Sequence, residues 1–99
     1  MNKKIVTNQQ TRDAVTKLLQ VVHANSGVSP LIVRFLLSTH GVHSDVNFDL
    51  FAMLDRENLE AARIAMQYSI FDGRYELPLE QEEIDFLVKY WRHHVKTAA

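Results

Sequence analysis

The sequence predicts an all-α protein, a compact bundle of four main helices and one short helix. Apolar residues recur with the helical period in several stretches, and no stretch sustains the every-other-residue alternation of a half-buried strand. Gly, Pro, Ser and Asp also punctuate the chain at intervals of helix length. Its 99 residues suit a single core. They divide into a flexible N-terminal arm over residues 1–10 and one helical domain over residues 11–96.

The first helix is expected over residues 11–24, where Val15, Leu18, Leu19 and Val22 share one face. Asn25-Ser26-Gly27 ends it, with Gly27 expected in the left-handed conformation that closes a helix. Ser29-Pro30 restarts the chain, serine as the N-cap and proline at the first helical position. The second helix, residues 30–40, holds Leu31, Ile32, Val33, Phe35, Leu36 and Leu37, with Arg34 the polar residue among them. Apolar side chains on nearly its whole circumference make it either the centre of the bundle or one half of a dimer interface. Gly41 stops it.

After a mostly polar connection, residues 48–54 form the short helix, with Phe48, Phe51 and Leu54 on one side. Asp55 is the next N-cap, and its helix runs to Phe71, burying Leu59, Ala62, Met66 and Ile70. Ala61, Ala62 and Ala65 let a neighbouring helix approach closely. Asp72-Gly73 ends this helix, and Leu77-Pro78 leads into the last one, residues 79–96. There Ile84, Leu87, Val88, Trp91 and Val95 form a stripe, with acids in the first turns and bases in the last.

Cysteine is absent, which removes disulfides, thiol nucleophiles and thiolate metal sites and fits a reducing, cytoplasmic setting. The longest apolar stretch, residues 28–37, is interrupted and far too short to cross a bilayer, so no membrane role is expected. Net charge is −1, unevenly spread. Residues 1–44 carry +4, residues 45–85 carry −8 and residues 86–99 carry +3. This is not the balance of a basic nucleic-acid binder, and nucleic acid is not the expected partner.

No motif for nucleophilic, phosphate or metalloprotease chemistry occurs, and an enzyme is not expected. Of the histidines, His40 and His43 flank Gly41, while adjacent His93 and His94 diverge by about 100° on a helix, so no metal site is expected. No cofactor is expected. A helix-turn-helix reading of the first two helices gives a recognition helix with Arg34 alone to reach base edges, too few for sequence readout. The concentrated acids, with Glu76, Glu80, Glu82 and Glu83 as candidate partner-facing residues, suit steering of a basic protein partner; solvation of that face is the competing account. The remaining alternatives are a nucleic-acid-associated role through Lys3, Lys4, Arg12 and Lys17, and an inhibitor of phage type whose acidic face mimics nucleic acid.

Leu18-Leu19, Gly27, Phe35-Leu36-Leu37, Phe48-Asp49-Leu50, Asp55 and Trp91-Arg92 occur in an order and spacing that resemble a family of small uncharacterised proteins of bacterial plasmids, phages and other mobile elements. The similarity spans residues 13–95; residues 38–44 depart from the family pattern, which is richer in tryptophan there. The resemblance implies no activity. It implies an accessory protein of a mobile element that binds a partner. From the matching motifs, Asp49 and Arg92 are expected to pair and to lock the short helix onto the last one.

Overall fold

A computed structural model describes residues 6–41 and 49–94 of the chain. Helix α1, Asn8–His23, begins on a capping box. The Thr7 hydroxyl accepts from the Gln10 amide at 3.0 Å, and the Gln10 side chain accepts from the Thr7 amide at 2.9 Å. The helix therefore starts three residues ahead of the expected position, and residues 8–10 of the expected arm are helical. It buries Thr11, Ala14, Val15, Leu18, Leu19 and Val22. Asn25, not Gly27, takes the left-handed conformation after it, at φ 54°. Asparagine tolerates that region, and here its side-chain oxygen accepts from the Tyr90 hydroxyl of the last helix.

Helix α2, Ser29–Ser38, has Val28 at its N-cap. Ser29 is its first residue rather than its cap, and the buried hydroxyl donates back to the Val21 carbonyl at 3.0 Å. Ile32, Val33, Phe35, Leu36 and Leu37 are buried and Leu31 is half-buried. Among the described residues most of the apolar circumference of α2 is thus buried within the monomer. Arg34 lies with its guanidinium 5.1 Å from the centroid of the Trp91 ring. At the C-terminal end the Ser38 and Thr39 hydroxyls donate to the carbonyls of Phe35 and Leu36, groups that a helix end leaves without partners. Gly41 follows at φ 76°.

Helix α3, Asp49–Met53, is a single short turn. Phe51 meets Phe35 edge-on at 6.4 Å between centroids, and Leu54 is buried behind it; Phe48 lies outside the described residues. Asp55 caps helix α4, Arg56–Met66, by accepting from the Asn58 amide at 2.9 Å.

The buried face of α4 differs from the expected one. Ala61, Ala62 and Ala65 are buried, in a helix whose main packing partner is α1. Of the expected stripe, only Ala62 is buried; Leu59 is 38% and Ile70 60% exposed, and Met66 is half-buried. Alanines let the two backbones approach closely, which turns the larger side chains away from the core. Beyond Met66 the chain widens into a π-helical turn, Gln67–Phe71, where the Asp72 amide bonds the Gln67 carbonyl at 2.8 Å.

Leu77 anchors the return to the last helix. It is buried, its amide donates to the Thr39 hydroxyl at 3.3 Å, and its carbonyl accepts from His40 Nε2 at 2.8 Å. Helix α5, Gln81–His94, packs across α2 with Leu87 and Tyr90 buried and Ile84, Val88 and Trp91 half-buried. Val95 lies outside the described residues. Among the described residues there is no strand, and no helix is long and apolar enough to cross a membrane.

Candidate protein-interaction surface

The N-terminus of α1, the turn after α4 and the start of α5 are bound together at one end of the bundle. Arg12 grips Glu83 with two parallel hydrogen bonds, Nη1 to Oε1 at 2.7 Å and Nη2 to Oε2 at 2.6 Å. Its Nη1 also donates to the Pro78 carbonyl at 2.9 Å. Nearby, the Val6 amide donates to Asp72 at 3.1 Å and Arg74 donates to the Asn8 side chain at 2.6 Å.

Glu83 also accepts from the Glu80 amide at 2.8 Å, so it completes the N-terminal turn of α5 from within. The hydrogen bond from Arg12 holds its carboxyl below the usual glutamate range, aided by the Glu80 amide and opposed by burial. That is the reverse of what a general acid requires. Glu83 is therefore a structural residue, whereas Glu76, Glu80 and Glu82 are exposed. The same pair occupies Arg12, a member of the basic set. Lys17 is exposed on α1, and Lys3 and Lys4 lie outside the described residues.

This end also presents apolar side chains for which sequence periodicity gave no warning. Ile70 is 60%, Phe71 63% and Tyr75 70% exposed, within six consecutive residues. Tyr75 stands in the left-handed region at φ 58°, where a non-glycine residue costs about 1–2 kcal/mol. Ser69 holds it there from both sides: its carbonyl accepts from the Tyr75 amide at 2.9 Å, and its buried hydroxyl donates to the Tyr75 carbonyl at 2.5 Å. Arg74 lies 5.4 Å from the centroid of the Tyr68 ring. The turn is thus an ordered scaffold that keeps an exposed aromatic ring in a strained backbone conformation.

On the outer side of α4, Phe51, Leu59 and Met66 line a groove of about 530 Å³ edged by Arg56, Glu60 and Arg63. Glu60 and Arg63 form an exposed pair at 2.6 Å, and Arg63 lowers the Glu60 carboxyl.

Among the described residues no ion pair joins Asp49 to Arg92. The ion pairs between described residues are Arg12–Glu83 and Glu60–Arg63. Asp49 is exposed at the start of α3, and α5 packs on α2 with Arg92 exposed beside Asp85, Val88, Lys89 and His93. Among the described residues, no three His, Asp or Glu side chains converge as a metal site. His23 stacks on Phe86 at 4.2 Å, and His43 lies outside the described residues. Compared with protein families, curated proteins and solved structures, the chain matches none.

Proposed function

We propose that this chain is a non-catalytic protein-binding module of the bacterial cytoplasm, and that its contact surface is the turn carrying Ile70, Phe71 and Tyr75. The observation behind this reading is the exposure of these three large apolar side chains on a turn held in place by Ser69. Fully burying a side chain of this kind is worth about 1.5–3 kcal/mol, so a partner that covers the turn gains a central anchor of the sort that dominates protein interfaces. The exposed carboxylates of Glu76, Glu80 and Glu82 flank it in sequence and favour a partner with basic charge around an apolar hollow. Resemblance to the mobile-element family supports an accessory role there, and the absence of cysteine supports the cytoplasmic setting.

The two nucleic-acid readings have less behind them. Arg12 is bound to Glu83, which removes a cation from the basic set and a carboxylate from the nucleic-acid-mimicking face.

The test is capture from a bacterial lysate by the wild type, by Ile70→Ser/Phe71→Ser/Tyr75→Ser and by Glu76→Lys/Glu80→Lys/Glu82→Lys. The reading expects a specific protein that the apolar variant loses completely and the charge variant holds more weakly. Equal capture by the wild type and the apolar variant contradicts it.

A further inference from the structure

The solvent face of α5 carries a charge pattern that enters no ion pair among the described residues. Opposite buried Leu87, the residues Glu82, Asp85, Lys89 and Arg92 recur at i, i+3, i+7 and i+10, one face of a helix with about 3.6 residues per turn. All four are exposed. The helix dipole explains charge in the first and last turns, but its effect fades beyond them, and Asp85 and Lys89 stand nearer the middle of α5. Asp85 accepts from Gln81 at 2.9 Å and forms no ion pair with Lys89. The side chains of Glu82, Lys89 and Arg92 enter no ion pair among the described residues.

The pattern is also symmetric about Leu87. Glu82 and Arg92 lie five residues to either side of it, and Asp85 and Lys89 lie two. We propose that this face binds a second copy of the chain, antiparallel about a two-fold axis at Leu87. Glu82 of one protomer then meets Arg92 of the other, and Asp85 meets Lys89, each pair occurring twice as an isologous interface requires. A parallel arrangement would set like charges together. The antiparallel one also opposes the two helix dipoles favourably. A hollow of about 410 Å³ beside Asp85, Val88, Lys89, Arg92 and His93 leaves room for the partner's side chains. Each exposed pair multiplies an equilibrium constant by about two to five, so the dimer is weak and sensitive to salt.

Sedimentation equilibrium of the intact chain at about 0.5 mM tests this, in about 25 mM and about 500 mM salt, across which screening shortens several-fold. The wild type is expected to dimerise at low salt, with a dissociation constant at least about tenfold higher at high salt. Glu82→Lys/Asp85→Lys and Lys89→Glu/Arg92→Glu are each expected to be monomeric, and their equimolar mixture to dimerise again. A wild type that stays monomeric, a variant that dimerises like the wild type, or a mixture that stays monomeric overturns the proposal. The salt dependence of the wild type requires no variant to fold, and thermal melts establish that the variants do.

Discussion

Arg12 and Glu83, 71 residues apart in the chain, join the first and last helices through a bidentate pair that is partly enclosed, with side chains 33% and 22% exposed. Two parallel hydrogen bonds in fixed geometry make this stronger than an ordinary surface pair. Glu83→Gln is expected to cost about 1 kcal/mol, a fall in melting temperature of about 4–8 °C for a domain of this size. Arg12→Lys keeps the charge and loses the fork, so it recovers only part of the loss.

The pH dependence follows from the same pair. Arg12 depresses the folded-state pKa of Glu83, so its contribution is present above the unfolded glutamate pKa of about 4.3. It is lost as pH falls through the lower folded-state value. Chemical denaturation of wild type and Glu83→Gln is expected to differ at pH 7 and to converge in acid below the ordinary glutamate range. A difference that persists unchanged at the lowest pH contradicts this.

Ser69 and Tyr75 set stability against the proposed partner binding. Ser69→Ala removes the buried hydroxyl that donates to the Tyr75 carbonyl and is expected to cost about 1 kcal/mol. Tyr75→Gly relieves the left-handed strain at φ 58° and is expected to raise stability by about 0.5 kcal/mol, the strain relief exceeding glycine's entropic cost. It should at the same time weaken partner capture. Thermal melts paired with capture assays check both; a Tyr75→Gly protein destabilised by more than about 1 kcal/mol argues that no strain is held there.

The face of α4 gives a third contrast. Ala62 and Ala65 have no exposed surface, and Ala62→Leu forces extra volume between α1 and α4 at a cost of about 1–3 kcal/mol. Leu59→Ser, on the outer side and 38% exposed, is expected to change stability by only about 0.5 kcal/mol. If the ordering reverses in urea melts, the alanine face is not the packed one.

Much of the helical order was legible from local chemistry. The periodicity of α1 and α5, the apolar girth of α2 and the Asp55 cap each depend on residues within a few turns. The start of α1 was written in Thr7 and Gln10, a capping box three residues upstream of the first apolar signal. Periodicity could not decide α4, because two overlapping faces share Ala62: one with the large residues Leu59, Met66 and Ile70, one with Ala61 and Ala65. The contact with α1 chose the smaller one. Asn25 rather than Gly27 takes the left-handed conformation after α1, and its side chain accepts from Tyr90, on a helix far along the chain. The candidate surface was the least legible part. Glu83 reads like its exposed neighbours until Arg12 is brought to it, and Ile70 and Phe71 are exposed on a π-helical turn, and Tyr75 on the left-handed turn after it, that no local pattern announces.

Photo-crosslinking in living bacteria tests the central claim most directly, with a benzophenone side chain placed at position 71 or 75 and, as a control, at exposed position 20 on α1. Positions 71 and 75 are predicted to give the same discrete adduct with another protein, and position 20 to give none. Adducts from position 20 alone, or no adduct from the turn while the chain is folded and abundant, would contradict the assignment of this surface to protein binding.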